Sequence, residues 1–138
     1  METTGLAKAT SKPLSETRCY PGDPAQVGQV RRDVAKTIGA CPMADDVVLL
    51  ASELCTNAVT HSRSGLPGGS FTVRVEVHPA DYVWVEVEDQ GGTWRNGDHS
   101  DRVHGLDIVR AIVGDGNWGV DGGGLSRVVW ARLDWPAL

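Results

Sequence analysis

Glu53 and Asn57 stand four residues apart in the run Glu53-Leu54-Cys55-Thr56-Asn57-Ala58-Val59-Thr60-His61. That spacing puts a carboxylate and a carboxamide on one side of a helix. Around such a helix Val47, Leu50, Ala51, Leu54 and Ala58 form an apolar stripe, while Asp45, Ser52, Thr56 and Arg63 fall opposite, toward water. Glu53 and Asn57 lie on the edge of the stripe, half turned inward. Polar groups placed there must find partners or cost stability, and a bound metal ion with an activated water would supply them. The plainer alternative is a pair of partly exposed helix residues.

Asp89 is the second signal. It shares parity with Val83, Val85 and Val87, so it extends the buried face of a strand. A carboxylate in that place, just before Gly91-Gly92, suits an exocyclic amino group such as that of adenine. Gly91 would let the backbone approach a flat ring. The competing reading is a turn-forming aspartate ahead of glycine. The third signal is His104-Gly105-Leu106-Asp107-Ile108-Val109. A glycine opening a helix after a polar loop offers free backbone N–H groups to phosphates, although glycines precede helices for other reasons. His61 continues the line of Glu53 and Asn57, and its role is open between pocket, cap and core.

The elements that must carry these residues follow from periodicity. Residues 18–20 read as a short edge strand. Pro21-Gly22-Asp23-Pro24 is a turn that caps a helix over 24–38, with Val27, Val30, Val34 and Ile38 on one face and Gly39 as its stop. A second helix spans 43–61. Phe71, Val73, Val75 and Val77, then Val83, Val85 and Val87, alternate with polar residues, which predicts an antiparallel hairpin with one buried face. Residues 91–102 read as a mobile loop, 105–113 as a short helix, and 117–120 with 125–133 as a closing hairpin. Helices segregated against such strands predict an α/β two-layer sandwich, a mainly antiparallel mixed sheet with helices on one face. Residues 1–15 read as a disordered segment and 16–138 as a single domain.

Composition narrows the class. The chain has 138 residues, enough for one core, and a formal charge of -5 argues against direct nucleic-acid binding through a basic field. No stretch approaches the roughly 20 apolar residues of a membrane span, and no signal peptide is apparent, so a cytoplasmic protein is expected. Cys19, Cys41 and Cys55 are an odd set without C-x-x-C spacing, which points to reduced thiols. His78, His99 and His104 share no zinc-ligand spacing. The five tryptophans read as packing residues, except that Trp84 and Trp94, if exposed, would be partner contacts.

Taken together, E-x-x-x-N-A-x-x-H on a helix, D-x-G at a strand end and G-L-x-I-V at a helix start resemble the GHKL ATP-binding superfamily (Bergerat fold). The closest likeness within it is to the short anti-sigma-factor serine kinases and related regulatory ATP-binding proteins. The resemblance spans about residues 18–133. It implies that Asn57 ligates Mg²⁺, that Glu53 is the catalytic base, that Asp89 reads adenine with Gly91 beside it, and that Gly105 and Leu106 present amides to the phosphates of ATP. Residues 92–104 would be a lid. The implied function is transfer of the γ-phosphoryl of ATP to a Ser/Thr of an anti-anti-sigma (STAS-like) partner, sequestration of a sigma factor, or both. Homodimers are common in that family. Val103 and His104 stand where the fuller pattern has glycines. That departure motivates an alternative, a catalytically weak nucleotide-sensing interaction module. A detached catalytic domain of a two-component histidine kinase fits less well, because no long dimerisation helix with an acceptor histidine is present.

Overall fold

The computed structural model describes residues 12–92 and 99–137, the stretch 99–105 by its backbone alone. The elements are β1 (Leu14–Pro21), α1 (Gln26–Ile38), α2 (Ala44–His61), a 3-10 turn (Arg63–Gly65), β2 (Ser70–His78), β3 (Tyr82–Asp89), α3 (His99–Val113), β4 (Trp118–Gly122) and β5 (Arg127–Asp134). The five strands form one sheet in the order β1-β2-β3-β5-β4. All four pairings are antiparallel, so the sheet is fully rather than mainly antiparallel.

The period-two alternation places the valines of β2 and β3 on one face. Val73 opposes Val87, Val75 opposes Val85, and Val85 in turn opposes Ala131 of β5. This face is buried beneath the helices. The polar residues between the valines occupy the other face, where Arg74 pairs with Glu76 and Glu86. Trp84 is half-buried there, stacked on Trp130 with ring centroids 4.7 Å apart and its Nε1 donating to Glu86. Trp94 lies outside the described residues.

α2 packs on β3 and is flanked by α1 and α3. Neighbours on both sides explain why its buried surface is wider than one apolar stripe. Cys55 and Ser52 are buried along with Val47, Leu50, Ala51, Leu54 and Ala58. Ser52 was expected to face water; instead its hydroxyl donates to the Leu49 carbonyl at 2.9 Å, satisfying a buried polar group locally. α1 begins two residues later than expected. Asp23 accepts from the Ala25 amide at 3.0 Å, and the helix ends at Gly39, whose φ of +55° is costly for other residues.

Two boundaries differ more. β1 is eight residues long and starts at Leu14, because it pairs along β2 from Leu14↔Val77 to Pro21↔Ser70. The folded domain therefore begins before residue 16; residues 1–11 lie outside the described residues. α3 starts at His99, six residues ahead of Gly105. Its core-facing residues Val109 and Val113 are buried as the periodicity implies, with Leu106 and Ile112 packed against the core. Among the described residues, no helix is long and apolar enough to cross a membrane.

Candidate functional site

Asp89 ends β3 on the core-facing side and is 2 % exposed, as its parity with Val83, Val85 and Val87 requires. Directly across the ladder on β5 stands Arg127. Arg127 has the parity of Val129 and Ala131, so it too points into the core face, and only 4 % of it is exposed. Its Nε donates to Asp89 Oδ2 at 3.1 Å, and Nη2 lies at the same distance from that oxygen. Nη2 also donates to the carbonyl of His61, at the last turn of α2, at 3.3 Å. The pair thus fastens the end of β3 to β5 and to the end of the helix that bears Glu53 and Asn57.

The other carboxylate oxygen, Oδ1, accepts the Gly91 amide at 2.7 Å. Asp89 is therefore a turn-forming aspartate as well as a buried acid. Burial pushes its carboxyl above its ordinary pKa, while the Gly91 amide and the Arg127 guanidinium hold it down.

Two loops lock the turn that follows. Ser62 ends α2 in an extended conformation, donates to the Ala58 carbonyl at 2.7 Å and accepts from the Ser64 amide at 3.0 Å. Ser64 is fully buried, and its hydroxyl accepts the Gln90 amide at 3.0 Å. The Arg63 amide donates to the Gly91 carbonyl at 2.9 Å, and its guanidinium to the Gly124 carbonyl at 3.3 Å. Gly91 has φ +67°, and a Cβ there would lie 2.4 Å from the Gly123 carbonyl oxygen. The side of Gly91 where a Cβ would project is filled by the β4–β5 turn, so chain packing requires glycine there.

Asn57 is 6 % exposed, and its Nδ2 is buried with no hydrogen-bond partner among the described residues. Such a group normally costs about 1–3 kcal/mol when it is left without any partner. The carboxamide can present either its oxygen or its nitrogen to that partner. Asn57 lies one helical turn, about 5.4 Å along the axis, before His61, whose carbonyl touches Arg127. Glu53 lies one turn earlier and is half-buried. A carboxamide oxygen one turn from a carboxylate is the kind of donor set that suits a hydrated divalent cation carried by phosphates.

The remaining sequence-derived residues are placed less directly. With α3 starting at His99, Gly105 sits inside the helix, so its amide is not at an open N-terminus as expected. Leu106 packs its side chain on the core. Residues 93–98 of the expected lid lie outside the described residues, and the part from His99 onward is helical. A groove of about 760 Å³ opens at the same end of the sheet between Cys19–Pro24 and Gly65–Ser70, but neither Asn57 nor Asp89 lines it. Arg127, Ser64 and Arg63 were given no role in the site from sequence. Arg127 was legible there, since it alternates with Val129 and Ala131 toward the core face.

No match to a curated protein was found. The family model of the histidine kinase-like ATPase domain matches residues 20–121, which takes in Glu53, Asn57, Asp89, Gly91, Gly105 and Leu106. The five-stranded antiparallel sheet with three α-helices among the described residues is consistent with that domain, and the chain therefore belongs to the histidine kinase-like ATPase domain family, an ATP-binding, kinase-like ATPase domain.

Proposed function

We propose that this domain binds Mg·ATP and works as a regulatory serine/threonine kinase of the anti-sigma-factor type. It would transfer the γ-phosphoryl to a Ser or Thr of an anti-anti-sigma (STAS-like) partner, sequester a sigma factor, or both. The observation that carries the reading is the buried Nδ2 of Asn57, without a partner among the described residues, in a carboxamide one turn from Glu53 and one turn from the His61 carbonyl that joins α2 to Arg127 and Asp89.

Asn57 would give one oxygen to Mg²⁺, and Asp89 Oδ1 would accept the adenine amino group. The magnesium ion, when bound, supplies positive charge to the phosphates. Glu53 would accept the proton of the partner's hydroxyl as its oxygen bonds to the γ-phosphorus and the bond to the β-phosphate oxygen breaks, releasing ADP. Gly105 and Leu106 would meet the phosphates through their amides, which requires the first turns of α3 to open. The site would serve in the cytoplasm, where ATP and sigma factors reside.

The test is phosphotransfer from labelled ATP to purified STAS-like partners by wild type and Glu53→Gln. Label on a partner Ser or Thr, lost in the variant while ATP still binds, supports the kinase. ATP binding without transfer to any partner ends that claim and leaves the second reading, a nucleotide-sensing interaction module. The placement of Gly105 within α3 favours that reading. It expects partner affinity to change with nucleotide and to be unaffected by Glu53→Gln.

A further inference from the structure

We propose that two copies of this chain pair edge to edge through β1, antiparallel about Thr17, so that Glu16 of each copy meets Arg18 of the other. β1 closes one side of the sheet, and no described residue pairs along its outer edge. It is eight residues long, against about 5–6 for a typical strand, and only Tyr20 among them is buried. It holds no lysine and no break in register, and its proline stands at the very end. Such an edge is a template for another strand.

The direction of its free hydrogen-bonding groups follows from the ladder. The Gly22 amide donates to the Gly69 carbonyl at 2.8 Å, one step beyond the pair Pro21↔Ser70. The Ser70 amide turns the other way, to Gln90 at 2.7 Å. Alternation along an antiparallel pair therefore aims the even-numbered residues of β1 at β2, and the N–H and C=O groups of Ser15, Thr17 and Cys19 outward. Pro21, without an N–H, falls in the outward set and removes no bond from the sheet.

A second copy related by a two-fold axis must set outward residues opposite outward residues. Centred on Glu16 or on Arg18, the axis brings like charges face to face. Centred on Cys19, it puts Pro21 opposite Thr17 and leaves Ser15 beyond the paired stretch; centred on Ser15, it runs off the start of the strand. Centred on Thr17, it pairs Ser15 with Cys19, and Glu16 with Arg18 on both sides of the axis. Glu16 and Arg18 are exposed enough to be reached, and they share one face of the strand, 3.6 Å apart within the chain. Exposed Leu14 comes opposite Tyr20. The charges that forbid the neighbouring registers favour this one.

The experiment is sedimentation velocity of the full chain over a range of concentrations, in reductant and without nucleotide. Wild type is expected to form a dimer. Glu16→Arg and Arg18→Glu, both on the surface, should each raise its dissociation constant about tenfold or more, and the double variant Glu16→Arg/Arg18→Glu should restore it. A second measurement reads the register. Ser15→Cys sets a thiol opposite Cys19 of the other copy, at the roughly 5.5 Å between Cα atoms of a hydrogen-bonded pair, which a disulfide spans. Within one chain the same positions are about 13 Å apart, and the two copies of Cys19 are separated as far. Mild oxidation should therefore cross-link Ser15→Cys into a covalent dimer and leave wild type uncross-linked. A wild type that stays monomeric at every concentration overturns the inference. So does a dimer indifferent to both charge reversals, which places the contact on another face, or a wild type cross-linked through Cys19, which moves the axis there.

Discussion

The ion pair between Asp89 and Arg127 is the most consequential contact to perturb. Its side chains are 1 % and 5 % exposed, and it joins β3, β5 and the end of α2. Asp89→Asn keeps the shape but leaves a buried guanidinium facing a neutral amide. Arg127→Met leaves a buried carboxylate supported by the Gly91 amide alone. Removing one partner of such a pair costs about 3–5 kcal/mol, against a total stability of roughly 5–15 kcal/mol for a domain, so each variant should fold but melt early. The double variant Asp89→Asn/Arg127→Met has no unpaired charge. Its loss should be smaller than the sum of the single losses by roughly 1–3 kcal/mol. Urea unfolding of the four proteins at pH 7, analysed with a common slope, measures this coupling. The pH dependence adds a sign. Burial already raises the Asp89 carboxyl above its ordinary value, and loss of Arg127 raises it further. A folded state that holds a proton more readily than the unfolded chain gains stability as pH falls from the folded pKa toward the unfolded one. The deficit of Arg127→Met should therefore shrink between pH 7 and pH 5. Losses additive to within roughly 0.5 kcal/mol, or a deficit that grows on acidification, would refute the reasoning.

Three further outcomes follow from single positions. Gly91→Ala forces a Cβ within 2.4 Å of the Gly123 carbonyl oxygen at φ +67°, and denaturant unfolding should show a loss of about 2 kcal/mol or more. Asn57→Ala removes a buried Nδ2 that has no partner among the described residues. Its stability should stay within about 1 kcal/mol of wild type in the same assay. Cys19 is exposed, whereas Cys41 and Cys55 are buried, and burial raises the Cys55 thiol further from its reactive form. Brief alkylation of the native protein should modify Cys19 alone by mass spectrometry, and all three after denaturation.

Much of this architecture is written in local periodicity. The alternation in 71–77 and 83–89 fixed both the hairpin and the inward direction of Asp89, because a strand's side chains change face at every residue. The apolar stripe located α2, but could not show that α1 and α3 flank it, and so left Ser52 on the wrong side. Arg127 was given no site role because a charge in a closing strand reads as solvated unless its parity is compared with Val129 and Ala131. Ser64 and Arg63 act through hydrogen bonds to Gln90, Gly91 and Gly124, contacts between segments far apart in sequence. The early start of α3 at His99 was hidden by polar residues without an apolar period. At Gly91 the side where a Cβ would project is filled by the β4–β5 turn, a contact between distant segments that the sequence alone does not display.

The most direct test is calorimetric titration of ATP, with and without Mg²⁺, into wild type and Asn57→Ala. The account predicts saturable binding to wild type that magnesium strengthens. It predicts that the folded variant loses the magnesium enhancement, because the carboxamide that ligates the cation is gone. No binding by folded wild type, or an equal magnesium effect in Asn57→Ala, would contradict it.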